Sequence, residues 1–550
     1  MSLRVDLTAA IAAARDRAIA AGELSIPEGA ELPPIGLERP AKPEHGDWAS
    51  NAAMQLAPVA RAAPMRIAET LLAHFEHPAS IAQVSIAAPG FLNLLMDNAW
   101  VAAQVEPIRG AGREYGRNSV GDPRRINVEF VSANPTGPLH IGNARGAFVG
   151  DVLSRVLAAV GHTVDREYYF NDFGAQVVNL GLSVLARRNG TELPEDGYRG
   201  EYVEQLAAEL PEDVLAQAAE RSNEAGGLVG AWATERVRAG IEASLARLGV
   251  HFDVWKEESS LHEGGWVERA VERLRASGHV YEADGATWFR STDFGDDKDR
   301  VIYRSNGLPT YFASDIGYVT EKFSRGFEEL IYIWGVDHHG TVARVRNAAE
   351  AMGYDREAVR MLLIAWVRFV REGVEIPMSK RSGEFITLDD LLNEVGVDAA
   401  RWYFSSRAYT SGIDFDLELA KKQSNENPVY YVQYAHARAS SILRNGADAG
   451  LSPDGSRTAE LFRHPAEQAL IRHLLDFPDA LATAAERRET HEVPRYSYEL
   501  ASAFSAFYRD CKVLTEDEEL SSARLALVDA TRSVLVNGLD LLGISAPESM

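Results

Sequence analysis

The sequence predicts an α/β protein: a parallel-sheet core split by a helical insertion, preceded by a small α/β module and followed by an all-α bundle. Three observations carry this reading. The chain has 550 residues, room for about three to four domains of ordinary size. The segment INVEFVSANPTGPLHIGNARGAFVGDVLSRVLAAVGHTVDREYYFND changes its apolar period from about 2 to about 3.6 at a Pro/Gly turn and changes back after Gly161, the pattern of a strand–helix–strand unit. From about residue 421 onward, ALIRHLLDF, LASAFSAFYRDCKVL and LALVDATRSVLVNGLDLLGI keep apolar residues on one helical face.

Residues 1–115 open with an Ala-rich helix and a Pro-rich loop, IPEGAELPPIGLERPAKPEHGDW. Helical spacing follows in NAAMQLAPVA and RIAETLLAHF, then the strand-like SIAAPGFLNLLM. Residues 116–420 hold the sheet. Its first strand is expected to end near Val131 and its first helix to run from Ala144 with Asn143 as cap. A mostly helical, acidic insertion occupies about 185–285, after which strand patterning resumes in RVIYRSNGLPTYFASDIGYV and ELIYIWGVDHHG, with a further helix from near Thr387. The run MLLIAWVRFV at 361–370 is broken by Arg368 and is far shorter than the ~20 residues of a membrane-spanning helix, so it reads as a buried element. Residues 421–550 form the helical bundle.

At 46% hydrophobic and 25% charged, the composition excludes a largely disordered chain. The net charge is −24 and the pI about 5.1, a balance that speaks against a polyanionic partner if the chain is taken whole. The acidity is uneven, however. Residues 191–300 carry 12 basic and 24 acidic residues, whereas 421–490 balance at nine of each. A single cysteine, Cys511, excludes an internal disulfide framework and a Cys-based zinc site and points to a reducing cytoplasm. The first 21 residues carry Arg4, Asp6, Arg15, Asp16 and Arg17 and lack the apolar core of a targeting signal.

Two segments bear chemistry. Asn134-Pro-Thr-Gly-Pro-Leu-His-Ile-Gly-Asn143 feeds a strand into a helix N-terminus, where free N–H groups and the positive dipole end suit a phosphate. His140 can donate to a phosphoryl oxygen, and Gly142 leaves room for a flat base near the backbone. Pro377-Met-Ser-Lys-Arg-Ser-Gly383 sets adjacent cations in a loop that can deliver them to a leaving group. Each alone is more often an ordinary turn or a solvated loop. Together, in this order on a split α/β sheet with a helical C-terminal bundle, they resemble class I aminoacyl-tRNA synthetases, whose HIGH and KMSKS motifs stand here as His140-Ile141-Gly142-Asn143 and Pro377-Met378-Ser379-Lys380-Arg381. VEFVSANPTGPLHIGNARGA, EYYFNDFGAQ, FDVWKEESSL, LPTYFASDIGY, VDHHG, MSKRSGEFITLDDLL and NPVYYVQYAHARASSIL, with PEHGDWASNAAMQLA, APGFLN and LGISAPESM, are similar to the arginyl-tRNA synthetase family in collinear order over essentially the whole chain.

That resemblance implies a class I Rossmann-type catalytic domain that activates L-arginine with ATP and Mg2+, then passes it to tRNA(Arg). It implies catalytic roles for His140, Asn143, Lys380 and Arg381, and ATP contacts from Gly137, His140, Gly142, Asn143, Gly335, Asp337, Met378, Ser379 and Lys380. It assigns Glu129, Ser132, Asn134, Tyr311, Asp315 and His338 to arginine; Tyr311 and Asp315 share one face if their segment is helical. Gly335 and Asp337 are expected to end a strand. On the C-terminal bundle, Tyr430, Tyr434, His436 and Arg438, with Tyr431 nearby, are expected to offer aromatic faces and donors to tRNA bases, about half of them serving the core instead. The N-terminal domain is expected to reach the tRNA elbow. No zinc site is expected, because neighbouring His338 and His339 side chains diverge on a strand and lack a completing carboxylate cluster. The family is often monomeric. Two departures stand out: Asn143 carries no charge where the family has histidine, and Pro377 stands where it has lysine. They favour a weakened paralogue that binds RNA or arginine as a regulator; retention of Glu129, His140, Asp315 and Lys380 favours an active ligase. A third reading, another ATP-dependent amino-acid ligase of this fold, is disfavoured by the presence of both flanking domains. The acidic insertion is expected to face away from the tRNA backbone, with modest, salt-sensitive binding.

Overall fold

A computed structural model describes residues 2–40, 42–118, 120–377 and 386–550. Within the N-terminal module, α1 (Leu3–Ala20) starts at Ser2, whose hydroxyl accepts from Val5 N at 3.3 Å. An antiparallel sheet of order β1-β2-β4-β3, made of β1 (Leu37–Glu38), β2 (Trp48–Ser50), β3 (Ile81–Ala87) and β4 (Phe91–Met96), packs against α2 (Ala52–Ala60) and α3 (Pro64–Ala73). Two short helices, α4 (Asn98–Ala103) and α5 (Val105–Ala111), lead to the central domain.

There β5 (Arg125–Glu129), α6 (Ile141–Val160) and β6 (Thr163–Phe170) form the expected strand–helix–strand unit, with Gly161 closing α6 at φ 115°. The strand stops two residues earlier than expected and the helix starts three residues earlier. Four helices follow: α7 (Ala175–Asn189), α8 (Glu201–Glu209), α9 (Glu212–Glu220) and α10 (Ala225–Arg247). The chain then returns to the sheet as β7 (Val254–Glu257), parallel to β6. Strand β7 therefore interrupts the expected helical insertion, whose helices resume before 285. The four half-buried residues of β7 are too few to declare a period. Next come α11 (Ser259–Glu263), α12 (Trp266–Ala276) and a small antiparallel sheet, β8 (Val280–Ala283), β9 (Ala286–Phe289) and β10 (Arg300–Tyr303). LPTYFASDIGY then starts α13 (Tyr311–Ser324), and β11 (Glu329–Gly335), α14 (His339–Ala351) and β12 (Val359–Ile364) complete the central sheet.

That sheet is parallel throughout, in the order β12-β11-β5-β6-β7. Its order reverses between β5 and β11, and in such sheets ligands bind at the carboxyl ends on either side of the reversal, here Glu129 and Gly335. The run at 361–370 is not one buried element: it divides between β12 and β13 (Val367–Arg371), with Trp366 57% exposed at the turn and Arg368 Nε donating to Asp414 at 2.7 Å on the surface. A second small sheet joins β13 with β14 (Val374–Ile376) and β15 (Ile413–Asp416), beside α15 (Leu388–Val395), α16 (Val397–Ser405) and α17 (Leu417–Lys421).

The C-terminal bundle comprises α18 (Pro428–Asp448), α19 (Thr458–Leu461), α20 (Pro465–Leu475), α21 (Phe477–Arg487), α22 (Glu492–Asp510) and α23 (Glu518–Leu542). It is fused to the catalytic sheet through α6, against which α16, α21 and α23 pack. A buried charge anchors this junction: Arg401, fully enclosed, pairs with Asp151 on α6 and donates from Nη1 to Leu248 O at 2.7 Å. Among the described residues no helix is long and apolar enough to cross a membrane.

Candidate active site

Beyond Glu129 the backbone turns left-handed, with φ 68° at Val131 and 39° at Ser132. A β-branched residue there is strained, and such strain persists only where its surroundings over-determine it. Here Ser132 Oγ donates to Glu129 Oε1 at 3.2 Å and accepts from Tyr169 N at 3.1 Å, while Tyr168 Oη donates to Ala133 O at 2.9 Å. The kink throws the Asn134–Pro138 turn over the sheet's carboxyl edge. Ser132, expected to touch arginine, thus spends its donor on holding Glu129.

Helix α6 is capped by His140 rather than Asn143. His140 Nδ1 accepts from Gly142 N at 3.0 Å, and His140 N donates to Asn143 Oδ1 at 3.3 Å. An accepting Nδ1 must be unprotonated, which places the neutral ring's proton on Nε2; partial burial also lowers the pKa of His140. The same cap commits the Asn143 oxygen, so its NH2 is the group presented outward. Gly142 is required by the histidine itself, since a Cβ there would lie 2.6 Å from His140 Cε1.

The flanks of the two sequence motifs meet in space. Ile141 N donates to Ile386 O at 3.1 Å and Leu388 N to Leu139 O at 2.9 Å, fixing the segment after the second motif onto the first. Met378, Ser379, Lys380 and Arg381 themselves lie outside the described residues. Gly335 ends β11 as expected, but Asp337 stands in a 3-10 turn (Val336–His338) just beyond it, its carboxylate 3.5 Å from His338 Nε2. A Cβ on Gly335 would meet Asp337 Oδ1 at 2.3 Å. Ser132, Asn134, Gly137, His140, Gly142, Asn143, Gly335, Asp337 and His338 all line one cleft of about 1170 Å³, above the usual size of a small-ligand pocket. Arg145, Trp366 and the insertion segment Gly197–Tyr202 also wall it, and sequence reasoning missed all three.

Below the turn lies an acidic floor. Glu129 is buried, with Lys322 Nζ at 2.6 Å; that lysine is fully enclosed and sits 4.1 Å and 4.0 Å from the ring centroids of Tyr318 and Tyr332. Burial raises the pKa of Glu129, and the Lys322 ammonium works against that rise. Glu129, expected to pair with arginine, thus already holds a cation. Asp315 differs. It is half-buried, and no hydrogen bond or ion pair reaches it among the described residues; burial pushes its pKa up to about 7, with Glu129 and Glu258 adding to the rise and Arg344 opposing it. Glu258, unforeseen, is buried and accepts from Ser314 Oγ at 3.2 Å; burial raises it too. Tyr311 lies four residues before Asp315 on α13 and is 77% exposed, which rules out a core role. Tyr311 is not among the residues lining the cleft.

On α18, Tyr430 and Tyr434 stack at 6.2 Å, and the Arg438 guanidinium lies 4.7 Å from Tyr434 and 5.0 Å from Tyr508. Tyr508 on α22 extends this patch and is 44% exposed. His436 does not belong to it. Its side chain is buried, Nδ1 bonds Pro547 O at 2.8 Å, and it fastens the C-terminal segment instead of facing solvent. Tyr431, half-buried, donates to Ser505 Oγ at 3.1 Å and meets the exposed Tyr498 ring at 5.2 Å. Among the described residues the one compact group of three metal-capable side chains, Glu489, His491 and Glu492, lies between α21 and α22, where Arg495 pairs with Glu492.

A parallel sheet with its cleft at the order reversal, and a first motif joined over it to the segment that follows the second, have the layout of a class I aminoacyl-tRNA synthetase. A solved methionyl-tRNA synthetase from Mycobacterium tuberculosis shares this fold at TM-score 0.54 and 13% identity, over 78% of this chain and 92% of its own. Family models match in chain order: the arginyl tRNA synthetase N terminal domain over residues 2–96, the class I (R) tRNA synthetase catalytic domain over 105–404, and the DALR anticodon binding domain over 432–550. An arginine--tRNA ligase of Heliobacterium modesticaldum is 44% identical over 100% of this chain and 99% of its own, and that of Bacillus subtilis 46% identical over 95% and 96%. The structure of Thermus thermophilus arginyl-tRNA synthetase superposes with TM-score 0.79 at 26% identity, covering 100% of both chains. The chain belongs to the arginyl-tRNA synthetase family, and its reaction is the ATP-dependent charging of tRNA with arginine.

Proposed function

We propose that the cleft above β5 and β11 is the adenylate-forming centre and that Asp315 is the principal acceptor of the substrate guanidinium. The observation that carries this is the contrast between two neighbouring carboxylates. Glu129 is satisfied by Lys322, whereas Asp315 is held near neutrality by burial and is stabilised as an anion by an incoming cation. Glu258 lies close enough to serve as a second acceptor for the guanidinium's several donors. Glu129, Asn134 and His338 then face the backbone end of arginine, and Tyr311, four residues before Asp315 on α13, stands on the guanidinium side.

The carboxylate of arginine attacks the α-phosphorus of MgATP in line, and pyrophosphate leaves. His140, through Nε2–H, and Asn143, through its NH2, donate to phosphoryl oxygens at the N-terminus of α6, where the helix dipole adds positive potential. Lys380, Arg381, Met378 and Ser379 supply the second-motif side of the clamp. Gly137 and Gly142 keep the turn low, Gly335 lets Asp337 fold back, and Asp337 accepts from the ribose hydroxyls. A terminal ribose hydroxyl of tRNA(Arg) then takes the arginyl group. Residues 116–420 act as the catalytic domain, 1–115 reach the tRNA elbow, and 421–550 read the anticodon through Tyr430, Tyr434 and Arg438. The protein works as a cytoplasmic monomer.

Arginine-dependent ATP–pyrophosphate exchange, with and without tRNA(Arg), tests this reading. Exchange is expected with tRNA present and is expected to disappear in His140→Ala. Absence of exchange under both conditions in the native chain would favour the regulatory paralogue.

A further inference from the structure

We propose that Arg199, carried by the acidic insertion, binds the triphosphate of ATP and the pyrophosphate that leaves it; the proposal rests on the cleft being the nucleotide site. Arg199 lines the same cleft as His140, Gly142 and Asn143. Its segment is held on both sides. Tyr198 N donates to Ser183 Oγ at 2.9 Å, and Tyr202 Oη donates to Thr136 O at 2.7 Å, inside the turn of the first motif. The Tyr202 ring packs so close to Gly137 that a Cβ there would lie 3.3 Å from its Cζ.

The guanidinium is uncommitted, unlike several others of the insertion. In the same acidic stretch Arg221, Arg236, Arg238 and Arg247 each pair with a carboxylate. Arg199 makes no hydrogen bond or ion pair among the described residues. The other described arginine of the cleft, Arg145, is 1% exposed and spends Nη1 and Nη2 on Ala365 O and Ala408 O, both at 2.8 Å. The polyphosphate needs cations, and the motif positions Asn143 and Pro377 bring none. In the reaction the bond from the α-phosphorus to the bridging oxygen breaks, and its electron pair stays on pyrophosphate. Arg199, donating to the β- and γ-oxygens, meets them before and after that step. Its contribution therefore falls on the KM values for ATP and pyrophosphate more than on kcat.

The test is arginine-dependent exchange with tRNA(Arg) present. Arg199→Ala is expected to raise the KM for ATP and pyrophosphate ~10-fold, leaving arginine KM and Tm unchanged because an exposed, unpaired side chain is lost. Arg199→Lys should recover most of the effect, and Arg199→Glu should deepen it to ~100-fold. Native ATP and pyrophosphate KM values in both the Ala and Glu variants would overturn the proposal. So would a change confined to the KM for tRNA, which would place Arg199 on RNA. His140→Ala separates the layers: lost exchange there beside normal kinetics in Arg199→Ala defeats this inference alone, whereas retained exchange in His140→Ala defeats the cleft assignment itself.

Discussion

The nucleotide cleft and the acidic floor lie one above the other on the same strand ends, yet they are built in opposite ways. At the first motif of the cleft the capping bonds are local. His140 Nδ1 meets Gly142 N two residues on, and Asn143 Oδ1 returns to His140 N three residues back. In the floor they span the chain: Lys322 reaches Glu129 across 193 positions, and Arg325 reaches Glu167 across 158. The first motif orients donors that remain neutral, whereas the floor sorts carboxylates by whether the fold has already supplied a cation. A phosphate site can be made from a turn and a helix end. A guanidinium site needs one acid left wanting among several that are not.

That contrast can be broken most severely at Asp315. Asp315→Asn should lower kcat/KM for arginine ~10³-fold or more while leaving the KM for ATP within ~3-fold, since the isosteric amide cannot pair with the guanidinium. Steady-state exchange kinetics decide it, and an equal loss for both substrates would mean that the floor and the cleft are not separable. Lys322→Met attacks the satisfied acid. It should leave Glu129 buried without its partner and cost about 3–5 kcal/mol of unfolding free energy in denaturant titration. Adding Glu129→Gln should restore most of that stability without restoring arginine use. A Lys322→Met protein as stable as the parent would remove the pair from the account. The smallest effect belongs to the cleft wall. Tyr202→Phe deletes the bond to Thr136 O, worth about 1 kcal/mol, so the KM for ATP should rise a few-fold with arginine KM unmoved.

The same division governs what the sequence disclosed. The strand–helix–strand unit, the first-motif turn and the helical bundle were legible because period, turn residues and caps act over a few positions. The pairing of Glu129 with Lys322 was not, because a lysine at helical spacing in EKFSRG looks like any solvated cation. Nor did the sequence separate His436 from Tyr434: both sit on α18, but only the structure sets one against Pro547 O and the other beside Arg438. The net charge misled for a related reason. The stretch 191–300, with 24 acids, still turns one unpaired arginine into the cleft, which a sum over 550 residues conceals.

The central claim, that Asp315 is the acid kept for the substrate, is tested most directly by the pH dependence of kcat/KM for arginine at saturating ATP. The guanidinium is charged at every accessible pH, so protonation of its acceptors, Asp315 foremost, switches the attraction. With its pKa raised to about 7 in the free protein, kcat/KM should climb as pH rises through about 7 and then level off, because deprotonation creates the binding anion. In Asp315→Asn that inflection should vanish, leaving a low, flat profile across the same range. An inflection near 7 that persists unchanged in Asp315→Asn, or a native profile flat from about pH 5.5 to about pH 8.5, would contradict the account.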